Sequence, residues 1–193
     1  MDKKKVSGFF MLLGVICITV ASVITFNNIY NDYKGKKSSL EVFNILDREI
    51  SRDSYKIKDE GRMKTIEVNG RKYIGLLEIQ SIGLKLPIQW EWSYEDLEIS
   101  PCRYKGSIKD DSMVLMGHNY NSHFSNIKKL NKGDEVKFTD VEGIQYKYQV
   151  KEKEELHKTK VEDMISGDWD LTLFTCSYNR INRVAIRCER LMG

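Results

Sequence analysis

Two residues of this chain have the side-chain types and positions that nucleophilic acyl transfer requires. Cys176 ends the apolar run of residues 171–175, and His118 follows Gly117 at the end of an earlier apolar run, residues 113–116. A thiolate can attack a carbonyl carbon, an imidazole can carry the proton, and a cation can stabilise the oxyanion that forms. The sequence therefore predicts a cysteine nucleophile and a histidine partner, each at the end of a strand.

Three arginines downstream of Cys176 are candidates for the cation. Arg180 falls in the loop after the cysteine, Arg183 opens the next apolar run, and Arg187 shares a strand face with Arg183 by two-residue alternation. A surface arginine is commonly solvated or paired with a carboxylate. Residue types alone leave the choice among the three open.

The other three cysteines have less distinctive surroundings. Cys17 lies in an N-terminal apolar stretch, whereas Cys102 and Cys188 fall within the rest of the chain. In an exported domain Cys102 and Cys188 could pair, but free cysteine is among the most buried residue types, so we expect two buried thiols. An odd number of cysteines outside the apolar stretch still leaves one thiol unpaired, which indicates a reactive group.

Histidine is scarce, with three in the chain. His118 lies at a predicted strand end, His123 lies in the polar loop that follows, and His157 lies in a charged stretch. A histidine that titrates near neutral pH suits proton transfer. His118 is the predicted proton carrier, and His123 is the alternative.

At these positions the sequence resembles the sortases, cysteine transpeptidases that attach proteins to Gram-positive cell walls. Their signature is Thr-Leu-x-Thr-Cys at the end of one strand and an arginine opening the next, which residues 172–176 and Arg183 match. The histidine precedes both, as His118 does here. The likeness extends over roughly residues 65–191.

The resemblance implies a role for each matched residue. Cys176 would be the nucleophile, His118 the general acid and base, Arg183 the cation on the oxyanion, and Thr175 a substrate-binding residue. It also implies cleavage of a sorting motif similar to Leu-Pro-x-Thr-Gly at the threonine carbonyl. The partners would be surface proteins bearing that motif and an amine of the cell wall or of another protein. Acyl transfer of this kind needs no cofactor and no metal.

Other functions fit parts of the pattern. An L,D-transpeptidase also places histidine before cysteine, but its cysteine resembles Ser-x-Gly-Cys, and papain-like peptidases place cysteine first. An anchored binding domain without turnover would have no reason to hold all three matched residues. The chain shows neither the long helical insertion of class B sortases nor the lid motif of pilus-building members, which favours a housekeeping-like or class D-like role; a class B-like assignment stays open.

Composition limits the remaining possibilities. The 193 residues suit one domain of ordinary size with an appendage. The 31 basic and 28 acidic residues are too evenly balanced to indicate a nucleic-acid partner. Three glutamates near residue 154 alternate with lysines, which indicates a solvated strand face rather than a calcium site.

The first 30 residues predict a membrane anchor. Residues 6–31 contain no charged side chain, and residues 8–26 are almost wholly apolar, close to the ~20 residues that a helix needs to cross a bilayer. This run exceeds the ~7–15 residues of a signal-peptide core, and no clear cleavage site follows. Lys3, Lys4 and Lys5 lie nearest the run, so the positive-inside tendency predicts a cytoplasmic N-terminus and a catalytic domain outside the cell.

A polar connector is predicted over residues 31–62. Leu40, Phe43, Leu46 and Ile50 recur at helical spacing behind a pair of serines that could cap a helix. The pattern predicts a short amphipathic helix that packs on the domain or spaces it from the membrane.

After residue 62 the period shifts towards two, which predicts an all-β domain over residues 63–193. The resemblance implies an eight-stranded barrel with short helices, and a closed barrel leaves no exposed edge. Strands are predicted at residues 65–68, 72–79, 84–89, 112–116, 135–139, 144–155, 171–175 and 183–190. Short helical turns are predicted at residues 93–97, 124–130 and 161–165.

Overall fold

The computed structural model describes residues 3–52, 58–59, 63–177 and 181–191. Within these residues a long helix, α1 (Lys3–Arg52), comes first, and ten strands, two short α-helices and two 3-10 turns follow. The chain divides into two compact units, Met1–Lys34 and Gly35–Gly193.

The first unit is helical and strongly apolar. An 18-residue window within Gly8–Ser51 has a mean hydropathy of 2.5, so α1 is long and apolar enough to cross a membrane. Its few hydroxyl side chains donate hydrogen bonds to backbone carbonyls one turn earlier, Thr19 to Ile16 and Ser22 to Ile18, both at 2.8 Å. Polar groups satisfied within the helix are what a hydrocarbon environment requires.

The second unit is built around a closed barrel of eight strands. The strands follow one another round the barrel as β3-β4-β5-β6-β9-β10-β8-β7, and pairing of β3 with β7 closes the ring. All neighbours are antiparallel except two parallel pairs, β4 with β5 and β6 with β9. The barrel strands are β3 (Arg71–Ile79), β4 (Leu84–Gln89), β5 (Cys102–Lys105), β6 (Met113–Met116), β7 (Glu135–Asp140), β8 (Gln145–His157), β9 (Leu171–Cys176) and β10 (Asn182–Arg190).

The predicted eight-stranded barrel is confirmed, but its membership differs from the sequence pattern. Residues 65–68 belong to β2 (Lys64–Val68), which extends the sheet beside β3 together with β1 (Lys58–Asp59). The eighth barrel strand is β5, which the pattern missed because it has four residues and only Cys102 is buried. β6 is equally short but was recognised because all four of its residues are apolar.

Gly75 allows β3 to change partners. Residues 71–73 of β3 pair with β2, whereas residues 75–78 pair with β7. The φ angle of Gly75 is 154°, and a β-carbon there would lie 2.2 Å from the carbonyl oxygen of Thr139. Only glycine permits that approach.

Two apolar clusters stabilise the barrel, one inside it and one against its outer surface. The larger one fills the barrel interior and includes the fully buried Leu77, Leu115, Phe138 and Leu173. The smaller one lies outside the barrel wall, where Val42, Phe43 and Leu46 of α1 pack with residues of β2 and β3. The end of α1 is therefore part of the folded domain.

The amphipathic segment predicted in the connector is part of α1, which is much longer than the predicted short helix. Phe43 and Leu46 are buried and Ile50 is half-buried, but Leu40 is exposed. Ser38 and Ser39 do not cap a helix start, because both lie inside α1. The spacing of the apolar residues identifies which face of the helix is packed. The length of the helix also depends on the helix-favouring residues that precede this segment.

The short helical turns are close to their predicted places. They are α2 (Tyr94–Leu97), a 3-10 turn at Ser125–Lys129 and α3 (Val161–Ile165). Ser93 caps α2 by accepting a hydrogen bond from the Asp96 amide at 3.0 Å.

We expect truncation of Leu46 to destabilise the domain. Leu46→Ala removes a completely buried side chain from the contact between α1 and the barrel, and such changes cost about 2–5 kcal/mol. Chemical denaturation of the full-length protein in detergent measures the free energy of unfolding. Leu40→Ala, at an exposed position on the same helix, is the matched control, and equal losses in the two variants would contradict the packing described here.

Candidate functional site

Cys176 is the last residue of β9, a strand bonded on both sides. On one side β10 runs antiparallel, and Arg183 is the residue directly opposite Cys176. On the other side β6 runs parallel, with Met116 paired to Phe174. Parallel strands end at the same edge of a sheet, so whatever follows β6 lies beside Cys176.

His118 follows β6 and is fixed to β9 through Gly117. The Gly117 amide donates to the Phe174 carbonyl at 3.1 Å, and the Thr175 hydroxyl donates to the Gly117 carbonyl at 2.8 Å. These two bonds continue the pairing of β6 with β9 by one residue. They bring the histidine to the strand end that carries the cysteine.

The loop after His118 turns back sharply on itself. The Phe124 amide donates to the His118 carbonyl at 3.0 Å, and the amides of His123 and Ser125 both donate to the Tyr120 carbonyl at 3.0 Å. A β-carbon at Gly117 would lie 2.6 Å from the buried ring of Phe124. Glycine is required before His118 because the Phe124 ring occupies that space.

Burial and one carboxylate determine the charge of His118. Its side chain is 24% exposed, and its Nε2 lies 3.2 Å from a carboxylate oxygen of Glu98. The Tyr120 hydroxyl reaches the same carboxylate at 3.3 Å, and the Tyr120 ring lies 4.7 Å from the imidazole. Burial lowers the pKa of His118, and the Glu98 charge opposes part of that shift. The imidazole is therefore mostly neutral at neutral pH, the form that accepts a proton.

The three candidate arginines have different surroundings. Arg183 is half-buried, faces Cys176 across the strand pair and lines the groove beside it. Arg187 is 2% exposed and binds Glu154 Oε2 at 2.8 Å as well as the carbonyl of Met164. Its guanidinium is committed to the fold. Arg180 lies outside the described residues.

Thr175 contributes to the wall of the site more than to its open surface. It is 1% exposed, and its hydroxyl donates to the Gly117 carbonyl. The threonine before the cysteine therefore ties β9 to the segment that carries His118.

A groove of about 260 Å³ runs past these residues. One wall is aromatic: Trp92 stacks on Tyr104 at 5.8 Å, and Tyr104 meets Phe174 edge-on at 5.4 Å between ring centroids. Val161 and Met164 of α3 also line the groove. The full lining is Trp92, Tyr94, Leu97, Tyr104, Met116, Gly117, His118, Lys158, Val161, Met164, Phe174, Thr175, Cys176 and Arg183.

Sequence reasoning missed Glu98 and the aromatic wall. The aromatic residues of segment 90–94 were a visible signal, since two tryptophans and a tyrosine lie within five positions. Glu98 offered no signal, because it follows α2 and meets His118 only through the fold.

A lysine also lies within electrostatic range of the candidate nucleophile. Burial lowers the pKa of Lys128, and the charges of Cys176 and Glu155 oppose that shift. The Lys128 ammonium also binds the side chain of Asn119, the residue after His118. The 3-10 turn thus contributes a positive charge near the candidate nucleophile.

The remaining cysteines and histidines lie away from the groove lining. Cys102 and Cys188 are completely buried free thiols, as expected, and burial raises the pKa of each to about 12. His123 is completely buried, with its ring 6.5 Å from that of His118. His157 is exposed and lies beside Thr159. Among the described residues, no cluster of three or more histidine, cysteine or acidic side chains could hold a metal ion.

Comparison with known proteins identifies this architecture. The Sortase domain family model matches residues 77–191. Sortase C1 from Streptococcus agalactiae is 27% identical, with a TM-score of 0.57 over 66% of this chain and 72% of that chain. The sortase D5 transpeptidase of Clostridium perfringens is 21% identical, with a TM-score of 0.55 over 84% of this chain and 99% of that chain. The latter likeness shows the fold alone. No curated protein matches the sequence.

We expect Cys176 to be the one thiol of the folded domain that alkylates readily. Cys102 and Cys188 are inaccessible, and with pKa values of about 12 they carry little thiolate at pH 8. Iodoacetamide treatment of Cys17→Ala protein at pH 8, followed by intact mass and peptide mapping, should find a single adduct at Cys176. Cys176→Ser should remain unmodified until urea exposes the other two thiols. Comparable labelling of Cys102 in the native state would contradict this burial.

Proposed function

The chain belongs to the sortase family, and from that premise we propose that it is a membrane-anchored cysteine transpeptidase acting on a sorting motif similar to Leu-Pro-x-Thr-Gly. The observation that carries the proposal is the convergence of Cys176, His118 and Arg183 at one end of the barrel, beside a groove. Transpeptidase activity follows from the family. The residue roles and the motif are the proposed part.

In the first half-reaction the Cys176 sulfur attacks the carbonyl carbon of the motif threonine. The neutral imidazole of His118 takes the thiol proton as the carbon–sulfur bond forms. The negative charge passes to the carbonyl oxygen, where the Arg183 guanidinium stabilises it. When the peptide bond breaks, His118 gives the proton to the departing amine, and a thioester on Cys176 remains.

In the second half-reaction an amine attacks that thioester. His118, neutral again, takes a proton from the amine as the new carbon–nitrogen bond forms, and Arg183 meets the oxyanion a second time. The proton returns to sulfur when the thioester breaks. The acceptor is an amine of a cell-wall precursor or of another protein, and no cofactor takes part.

The groove supports a peptide substrate with apolar side chains. Its volume of about 260 Å³ and its wall of Trp92, Tyr104 and Phe174 suit a few residues rather than a folded partner. The leucine and proline of the proposed motif match this lining. Thr175 is 1% exposed, so its part in substrate binding would be chiefly to hold the groove floor in place.

We also propose that residues 1–30 anchor the protein in the cell membrane with the N-terminus inside. Lys3, Lys4 and Lys5 are closer to the apolar run than the lysines at positions 34, 36 and 37, which favours this orientation. The catalytic domain, residues 63–193, would then face the cell wall, with residues 31–62 as the connector. External protease should digest the domain in wall-stripped cells, and protection until lysis would reverse the orientation.

Trapping of an acyl-enzyme tests the proposed reaction. With a library of peptides carrying Leu-Pro-x-Thr-Gly variants and hydroxylamine as a simple acceptor, the full-length protein should gain the mass of the acyl fragment on Cys176 and release the hydroxamate. Cys176→Ser should form neither product, because a hydroxyl is a far weaker nucleophile than a thiolate. Cys102→Ser is the matched control and should retain turnover. An acyl-enzyme formed by Cys176→Ser would remove the cysteine from its proposed role.

Replacement of Arg183 tests the oxyanion assignment. Arg183→Lys keeps the charge but loses the planar fork, so kcat should fall ~10²–10³-fold while KM changes little. Arg190→Lys, on the exposed end of the same strand, is the control and should leave kcat near wild type. Arg187 is unsuitable for this comparison because its buried contacts make its loss a folding defect. A wild-type kcat for Arg183→Lys would place the oxyanion cation elsewhere.

A further inference from the structure

The helix α1 touches the His118 loop at a glycine. Gly35 is buried, and a β-carbon there would lie 3.3 Å from Nε2 of His123 and 3.4 Å from the hydroxyl of Ser122. The first separation is tighter than most Cβ contacts, and the second is at the lower limit of ordinary van der Waals contact. The bare backbone of α1 therefore packs directly on the loop that begins with His118.

The same glycine touches the residue that holds the other side of the imidazole. Its β-carbon would lie 3.5 Å from the backbone carbonyl of Glu98, whose carboxylate lies 3.2 Å from His118 Nε2. Tyr120 links the two contacts. Its hydroxyl reaches the Glu98 carboxylate, and its ring contacts the rings of both His118 and His123. Gly35 of α1 thus contacts both the loop that begins with His118 and the residue whose carboxylate lies beside the imidazole.

Glycine at this position has a cost that needs a reason. In a helix interior glycine is less favourable than alanine by roughly 1 kcal/mol. A β-carbon at Gly8 or Gly14 of the same helix would meet nothing within 4 Å, so close packing explains neither. At Gly35, by contrast, a side chain would meet both the loop and the backbone of Glu98.

We propose that Gly35 is a positioning residue for His118, so that α1 acts as a support which sets the acid/base histidine against Cys176. The role rests on the proposed transpeptidase reaction and extends it to a residue of the helix. Because a misplacement of about 1 Å can cost ~10²-fold in rate, a side chain at this contact acts on the reaction without touching substrate.

The proposal makes an expectation for the charge state of His118. Burial is the larger influence on its pKa and lowers it, while Glu98 opposes. A side chain at position 35 that pushes the loop outward admits water, so the pKa should rise towards ~6.5. Loss of the Glu98 charge should instead lower the pKa of His118. The charged and titratable groups around the imidazole are Glu98, Tyr120, His123, Lys128, Cys176 and Arg183.

The test compares Gly35→Leu with Lys36→Leu in the full-length protein in detergent. Leucine is a better helix former than either residue, so neither change weakens α1 itself. Lys36 is exposed, and its variant should keep the wild-type kcat. Gly35→Leu should lower kcat about 10- to 100-fold with KM within about twofold, on a Leu-Pro-x-Thr-Gly peptide with hydroxylamine.

A second readout does not depend on turnover. The chain has three histidines, and NMR titration of carbon-13-labelled histidine follows His118 once the signal that disappears in His118→Gln has been assigned to it. Gly35→Leu should raise the His118 pKa and Glu98→Gln should lower it. If the wild-type protein shows no turnover but both variants shift the His118 pKa as expected, the proposed reaction is wrong and the role of Gly35 in positioning His118 is retained.

Gly35→Ala covers the case in which the leucine variant does not fold. One methyl group should leave the melting temperature unchanged or higher, because alanine favours the helix, yet lower kcat about two- to fivefold and move the His118 pKa in the same direction as leucine. Stability and activity then change in opposite directions, which a merely structural role would not produce. Wild-type kcat and His118 pKa in Gly35→Ala, and in Gly35→Leu where it folds, would overturn the proposal.

Discussion

Hydrogen bonding on both edges of β9 is the constraint on which the arrangement of the site depends. Its parallel neighbour β6 ends at the same edge as β9, and its antiparallel neighbour β10 begins there. Cys176 and Arg183, and His118 from a distant part of the sequence, therefore reach one end of the barrel through the pairing of these strands. The loops then determine only the final orientation of the side chains.

Side chains of the same type differ in their surroundings according to how deeply they are buried. Arg183 and Arg187 lie on one strand, but the first lines a groove while the second is enclosed by Glu154 and backbone carbonyls, where a guanidinium must be fully hydrogen-bonded. Likewise Cys176 lies at the groove whereas burial raises the pKa of Cys188. Depth in this barrel thus separates the candidate site residues from residues of the same type that are committed to the fold.

The support for His118 comes from elements that are distant along the chain. Glu98 follows α2, the loop of residues 118–125 follows β6, and Gly35 belongs to α1. The apolar contact of Phe43 and Leu46 with the barrel wall fixes the same part of α1 that carries the glycine. Packing energy and positioning of the histidine are therefore supplied by one helix face.

The sequence alone determined the features that depend on local order. An uncharged run predicted the apolar helix, two-residue alternation predicted most strands, and the motif of residues 172–176 identified the family. Only the tertiary structure decided that β2 lies outside the barrel, that β5 completes it, and that α1 runs on through residue 52. It also decided the burial of His123 and Arg187 and the pairing of His118 with Glu98. Periodicity reports which way a side chain points, whereas its partners and its contact with water depend on segments that meet it only when the barrel closes.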